Sequence, residues 1–588
     1  MKREKISRKH IFDAGKWEFY FVWNTARGST EERFLTVTDQ GRKAIRAQEE
    51  CRELRVMVRT FEKDEPLVLC GKIREGENRI MLGWTDCVVR LWINDVLADE
   101  EWPIGQCLKS DDVEVLSGDG VEDCAFCAVE RARVPQAGGH FEDVQYWRPT
   151  GCGVGDCMPF YDGKVFHLYY LKDRHGHKSK WGLGAHQYAH ISSPDLLHWE
   201  EHPMAVEITH PWEGSICTGS IVKNGELYYA FYAVRMSDQT SAKVSWATSR
   251  DGITFEKSER YFSLTMPYET TSVRDPAVFV DAQKTWHMLL TTDYVEASVQ
   301  ERRGCLAHLV SKDLENWEQR EPFLVPGYTD QPECSDYFEW NGWYYLIFSN
   351  YGFAKYRYAK TPFGPWQKPR EEVLDAGLYR VPKSAAFAGN RRILAGFLTD
   401  EPWGRSYGGN LVLRELVQHA DGTLGTRFIP EMSHGEETLE RTVRVSADET
   451  ECCRAVPLLT MGGDFCLKIN VRRLEEQAGF GFWLKGGGCK PVEIRIEPSY
   501  ACAGIYDLHT NLFEKNCREL YHIFPKESMT IRLRKRGDIL DCCLEDDRTM
   551  VCRLERAEEG GDIRLDGFVK DGTVEFCPCK SKRPAASL

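Results

Sequence analysis

Residues 153–171 read Gly-Val-Gly-Asp156-Cys157-Met158-Pro159-Phe-Tyr-Asp162-Gly163-Lys-Val-Phe-His167-Leu-Tyr-Tyr-Leu171. A carboxylate is followed by an apolar run, an Asp-Gly turn and a second apolar run, which is the pattern of a β-hairpin. The layout returns in Gly219–Val234 with the turn Asn224-Gly225, and in Asp275–Thr292 with a turn near Asp281–Lys284. It returns again in Ser335–Asn350 with Asn341-Gly342 and in Lys383–Leu398 with Gly389-Asn390. The starts lie roughly 50–60 residues apart, close to the spacing of β-propeller blades. A second echo trails the first four hairpins: Ser192-Ser-Pro-Asp195-Leu-Leu-His-Trp199, Ser249-Arg-Asp251-Gly-Ile-Thr-Phe255, Ser311-Lys-Asp313-Leu-Glu-Asn-Trp317 and, more weakly, Lys360–Trp366. Two inner strands, a third strand and a turn closed by an aromatic make one blade. The middle of the chain, 141–416, therefore reads as a five-bladed β-propeller.

The repeat phase places the acids. Asp156 stands before the first strand of blade one, Asp275 at the same point of blade three and Glu333 at that point of blade four. The first strand of every propeller blade lines the central channel, so three carboxylates distant in sequence are expected to meet around one mouth.

Composition sets the limits. Hydrophobic residues make 42% and charged residues 28% of the 588, ordinary for a globular protein of two to four domains. A formal net charge of −14 excludes nucleic acid as a main partner. No run is long enough to span a bilayer, and Met1–Gly15 is charged with no apolar core, so no signal peptide is visible and a cytoplasmic location without membrane partners is expected. The 22 cysteines then read as reduced, mostly buried thiols. Cys124-Ala-Phe-Cys127 and Cys577-Pro-Cys579 find no second pair to complete a zinc set, so neither metal nor cofactor is expected.

The flanks are also β-rich. Residues 1–137 carry the runs Trp17–Trp23, Glu53–Phe61, Leu67–Lys72, Arg79–Leu82 and Cys87–Ile93, with Asn94-Asp95 as a turn. They read as an N-terminal β-sandwich in a supporting role. Val134–Gly139 is the expected linker, and Phe428–Glu437 is irregular. Phe465–Val471, Phe480–Leu484, Val492–Ile496, Met529–Leu533 and Ile539–Leu544 indicate a second sandwich over 430–588, ending in a disordered basic tail, Lys580–Leu588. The fold class is all-β.

Two carboxylates flanking a glycosidic bond suffice for hydrolysis, one to attack or activate water and one to protonate the leaving oxygen. A third steadies the oxocarbenium-like transition state. The repeat region resembles glycoside hydrolase family 32, the invertases, inulinases, levanases and related fructosyltransferases. Arg274-Asp275-Pro276 matches the family's Arg-Asp-Pro, and Glu333-Cys334 its Glu-Cys motif. Cys217-Thr218-Gly219-Ser220 resembles Phe-Ser-Gly-Ser, and His190–Trp199 the stretch after the first hairpin. Gly389–Leu394 and Leu413–Leu416 resemble the last blade and its exit. The match covers about 150–416, loosely the C-terminal sandwich, and not 1–140.

The resemblance implies a retaining β-fructofuranosidase acting on an oligosaccharide or small glycoside. It implies Asp156 as nucleophile, Asp275 as transition-state stabiliser and Glu333 as acid/base. Arg274, Thr218, Tyr188, His190 and Cys334 would contact the substrate or tune the acid, and Tyr379 and Trp403 are candidates for the funnel rim. Arg274 would help keep Asp275 ionised, and Glu333 needs a raised pKa. The first motif departs from the family's Asn-Asp-Pro-Asn-Gly: Gly155 replaces the Asn, Leu171 a Gln, and Tyr188 a Trp, so the contacts to the glycone sugar have changed around unchanged acids. Alternatives are an inverting arabinofuranosidase or xylosidase on the same fold, a transglycosylase, or a sugar-binding relative without activity. Asp162, Asp195, Asp251 and Asp313 read as turn acids, and His175, His177 and His186 as members of a polar loop. Oligomeric state stays open.

Overall fold

The computed structural model describes residues 2–7, 16–85, 87–129, 139–173, 186–238, 240, 242–400, 407–432, 441–445, 454–473, 478–508, 518–557, 560–569 and 572–578. These residues are nearly all strand and turn.

The N-terminal part holds two antiparallel sheets. One orders the strands 2–7, 112–117, 34–39, 42–50, 53–58 and 67–72, the other 121–128, 17–24, 77–85, 88–93 and 96–101. Alternating residues of both, such as Trp17, Phe19, Leu35, Val37, Val56 and Leu82, close one core between them. Asn94 and Asp95 both have positive φ, 52° and 69°, as a tight two-residue hairpin turn requires. The C-terminal part is built the same way from two six-stranded sheets, with Ile469, Phe482, Ile494, Ile531 and Leu565 among its core residues.

Between them lie antiparallel sheets whose first strands are Gly153–Tyr161, Glu213–Asn224, Arg274–Val280, Glu333–Trp340 and Tyr379–Phe387. Each of these inner strands lies against the next, and the last lies against the first, so they close a ring. The first and last sheets join edge to edge through the pair Val154–Gly409. The outer turns repeat: Asp195, Asp251 and Asp313 each accept the backbone N–H groups two and three residues on. Leu196, Gly252 and Leu314 take the same left-handed conformation (φ 67°, 72° and 68°). Trp199 and Trp317 close their turns by donating Nε1–H to the carbonyls of Leu196 and Leu314, 2.8 and 3.2 Å.

The inner strands begin earlier than the sequence runs suggest, at Glu213 rather than 219 and Tyr379 rather than 383. The reason is a bulge shared by all of them. Pairing skips from Val154 to Cys157, Ile216 to Gly219, Arg274 to Ala277, Glu333 to Asp336 and Arg380 to Lys383. In each case two residues face one on the partner strand, which bends the chain and re-aims side chains. Strand-like alternation breaks there, so the apolar runs start only after it.

The outer parts are bound to the ring by buried charge. Glu100 accepts Arg90 Nε at 3.1 Å and Lys172 Nζ at 2.9 Å, and Arg90 reaches Glu207 at 2.6 Å. Val88 and Trp102 pack beside Leu171, Tyr188 and Ile216. On the other side, fully buried Arg414 pairs with Asp541 and Asp375.

Candidate active site

The bulges deliver the acids to one place. Asp156, Thr218, Asp275, Glu333 and Cys334, together with Arg274, line a single cavity of about 280 Å³ at one end of the ring. The three acids are not at one repeat position, as the sequence phase suggests, but at three successive ones. Glu333 is the last paired residue before its bulge, Asp275 the first bulged residue and Asp156 the second.

Asp156 is buried and heavily bonded. Thr218 donates its hydroxyl to Oδ2, Cys334 Sγ lies 3.5 Å from the same oxygen, and the Tyr407 hydroxyl donates to Oδ1 at 2.9 Å. Burial and then the Asp156 charge push the Cys334 thiol well above its ordinary pKa, so it remains a thiol. Asp275 has φ 57° and accepts the Cys334 backbone N–H at 3.0 Å and the Thr291 hydroxyl at 3.3 Å. The same Thr291 hydroxyl lies 2.8 Å from the carbonyl of Pro332, which fixes the strand carrying Glu333 against the strand carrying Asp275. Cys334 therefore touches Asp275 through its amide and Asp156 through its sulfur, and follows Glu333 in the chain.

Arg274 ties the set together. Its Nη2 donates to Glu333 Oε1 at 2.8 Å, its Nη1 to Gln331 Oε1 at 2.6 Å and to Ser272 O at 2.9 Å, and its Nε lies 3.7 Å from Asp275 Oδ2. Burial alone would lower the guanidinium pKa, but Glu333 and then Asp275 more than offset it, and the group is held charged. Glu333 keeps 35% of its side-chain surface exposed while Asp275 keeps 6%, so Glu333 is the acid that faces the open end.

Of the remaining wall the sequence pointed to Leu171 and, as part of a loop, His186, but not to the others. Tyr407, His186, Leu171, Phe397, Arg235 and Arg380 also line the cavity. His186 is 1% exposed and bonds Asp173 Oδ1 through Nε2 at 2.7 Å, so it belongs to the wall and not to a solvated loop. Its ring stacks on Tyr407, centroids 5.0 Å apart at 29°. Three expected substrate contacts lie elsewhere. Tyr188 is fully buried among interblade apolar residues and spends its hydroxyl on the carbonyls of Cys217 and Phe231, 3.1 and 3.3 Å, supporting the bulge that carries Thr218. His190 is enclosed by Tyr169 and His202, ring centroids 4.2 and 4.4 Å away, and bonds His167. Tyr379 is buried and donates to Val412 O at 3.3 Å. All three sit on strand positions that point between sheets, where an aromatic fills core. Trp403, His175 and His177 lie outside the described residues. Among the described residues no group of three or more His, Cys, Asp or Glu is arranged to hold a metal ion.

Comparison with known proteins places this arrangement. Residues 157–398 match the glycosyl hydrolases family 32 N-terminal domain, a stretch that starts one residue after Asp156. A sucrose-6-phosphate hydrolase of Salmonella typhimurium is 27% identical over 236 residues, 36% of this chain and 49% of that protein. A levanbiose-producing levanase of Geobacillus stearothermophilus is 28% identical over 238 residues, 38% of this chain and 53% of that protein. The chain thus spans about half the length of the curated relatives it matches. Among solved structures, the exo-inulinase of Aspergillus awamori superposes with a TM-score of 0.58 at 13% identity, covering 75% of this chain and 98% of that one. The sucrose-6-phosphate hydrolase of Lactobacillus gasseri also gives 0.58, at 15% identity over 76% and 93% of the two chains. These neighbours share the fold, a β-propeller with a β-sandwich. Through residues 157–398, the chain carries a glycosyl hydrolases family 32 N-terminal domain.

Proposed function

We propose that the chain is a retaining glycoside hydrolase of the β-fructofuranosidase type, cleaving a terminal furanoside from a short oligosaccharide. The observation that carries this reading is the convergence of Asp156, Asp275 and Glu333, with Arg274, in one cavity. Asp156 is the nucleophile: its carboxylate attacks the anomeric carbon as Glu333 gives its proton to the departing glycosidic oxygen. Glu333, now ionised, takes a proton from water, whose oxygen displaces Asp156 and releases the sugar. Asp275, held by Cys334 N–H and Thr291, faces the positive charge that develops on the ring. The same reading takes the ring of sheets as five blades over 141–416, between sandwich domains at 1–137 and 430–588.

The curated relatives named for sucrose 6-phosphate and levanbiose set the substrates to try. The test is turnover of sucrose, sucrose 6-phosphate, levanbiose, inulobiose and aryl furanosides, with the anomer of the first-formed product read by NMR. Retention supports the double displacement. Inversion assigns the chain to the arabinofuranosidase or xylosidase type, and binding without turnover across the panel assigns it to sugar recognition.

A further inference from the structure

The hydroxyl of Tyr407 makes two bonds to one residue. It donates to Asp156 Oδ1 at 2.9 Å and accepts the Asp156 backbone N–H at 3.2 Å. Burial, then the charges of Asp156 and Asp173, push the phenol well above its ordinary pKa, so its proton stays on oxygen. The phenol is therefore the donor in the bond to Oδ1, and only a correctly turned Asp156 receives it. The ring is itself held: it stacks on His186, which bonds Asp173, and lies edge-on to Phe397 at 5.3 Å.

The space for this hydroxyl exists because residue 155 is glycine. A Cβ at 155 would stand 2.7 Å from the Tyr407 oxygen, closer than side-chain carbons approach, and 3.1 Å from both Cβ and O of Leu171, a tight but smaller overlap. A side chain at 155 and a tyrosine hydroxyl at 407 thus compete for one volume beside Asp156. In this chain the volume belongs to Tyr407, which comes from the far end of the ring, 251 residues away in sequence.

We propose that Tyr407 is a positioning residue for Asp156, and that Gly155 is present to admit it. The proposal rests on Asp156 being the nucleophile. Thr218 and Cys334 hold Oδ2, and Tyr407 alone among the described residues is bonded to Oδ1, so the phenol sets the rotation of the carboxylate about its own axis. That rotation aims the attacking lone pair.

The experiment is a double-mutant cycle on the full-length chain, with Tyr407→Phe and Gly155→Ala, measured on whichever of sucrose, sucrose 6-phosphate and levanbiose is turned over. Tyr407→Phe is expected to lower kcat about 10- to 100-fold with KM changed by less than about 3-fold, the worth of one bond to a charged group. The acid limb of its kcat/KM profile moves to higher pH, because the carboxylate has lost a donor that favours its charged form. Gly155→Ala alone lowers kcat comparably, but added to Tyr407→Phe it costs less than it does alone, because the nearest collision partner is gone and only the 3.1 Å contacts with Leu171 remain. Losses that multiply, or a Tyr407→Phe enzyme within about 2-fold of the parent and with an unmoved acid limb, overturn the proposal. Asp156→Asn is run beside them. If Asp156→Asn abolishes turnover while Tyr407→Phe is silent, only this inference fails. If Asp156→Asn stays active, or the parent turns over none of these three, inulobiose or the aryl furanosides, the nucleophile assignment fails and takes this inference with it. Thermal unfolding of each variant separates loss of fold from loss of rate.

Discussion

Removing the carboxylate of Asp541 should release the C-terminal sandwich from the ring. Arg414, Asp541 and Asp375 are all fully buried. Arg414 donates Nη1 and Nη2 to the two oxygens of Asp541, both at 2.7 Å, and Nε to Asp375 Oδ2 at 3.1 Å. Tyr146 adds its hydroxyl to Asp541 at 2.5 Å. Asp541→Ala therefore leaves a buried guanidinium with one carboxylate and a buried phenol without its acceptor. Breaking a buried pair from one side costs about 3–5 kcal/mol, and the stranded phenol adds roughly 1. Burial, against the pull of Arg414, pushes Asp375 up to about 6. Below that pH it is neutral, and it has Thr549 Oγ1 at 2.6 Å and the Val551 N–H at 3.3 Å for partners. Asp375 thus does not need Arg414 in mildly acidic solution, and Arg414→Met combined with Asp541→Leu should cost far less than either single change at pH 5.5. Its advantage should shrink as pH rises above about 4, because the unfolded chain then gives up the Asp375 proton while the buried acid, without Arg414, must keep it. Urea unfolding followed by tryptophan fluorescence at pH 5.5 and 7.5 measures all of this. An Asp541→Ala cost below about 1 kcal/mol, or simple additivity of the two changes, refutes the reasoning.

Arg274→Gln should lower kcat/KM by about 10²- to 10³-fold, and Arg274→Lys should rescue little, because one ammonium cannot reach both Gln331 and Glu333 as the fork does; steady-state kinetics decides it. Glu100→Ala strips the buried counter-charge from Arg90 and Lys172 and should destabilise by about 2–4 kcal/mol, with earlier proteolytic nicking of the N-terminal part. Burial, then His287 and Arg320, lowers His308 to about 4. The unfolded chain takes that proton near pH 6.5 and the folded chain does not, so stability is full above 6.5 and falls as pH drops toward 4, by about 1–2 kcal/mol after allowing for partial solvent screening. His308→Gln should flatten that part of the urea-midpoint profile.

Much of this was legible because strands announce themselves locally. Trp17, Phe19 and Phe21 alternate inward, and two-residue turns such as Asn94-Asp95 mark the hairpins. The acids were legible because a repeat gives every copy the same address. The bulge was not, since one extra backbone position leaves no compositional trace, and it is the bulge that separates Glu333, Asp275 and Asp156 by one step each. Tyr188, His190 and Tyr379 were drawn into the site by proximity to motifs, but alternation along a strand sends neighbours to opposite faces, and theirs is the packed one. Tyr407 and His186 lie outside the repeated hairpins, each just before the strand that follows one, Gly409–Gln418 and Gln187–Ser193. The available signal was Gly155: a glycine where a polar side chain is expected leaves a volume that another part of the chain must fill.

The central claim is that three carboxylates from separate strands act on one glycosidic bond, with Asp156 as the attacking group. It is tested most directly by mass spectrometry of the intact protein after incubation with an activated, slow-turnover furanoside that carries fluorine on a carbon next to the anomeric carbon, with Asp156→Asn and Glu333→Gln in parallel. A single sugar adduct mapped to the peptide containing Asp156, lost in Asp156→Asn and accumulating in Glu333→Gln, is the result this account predicts. Full turnover by Asp156→Asn, or an adduct on any other residue, contradicts it.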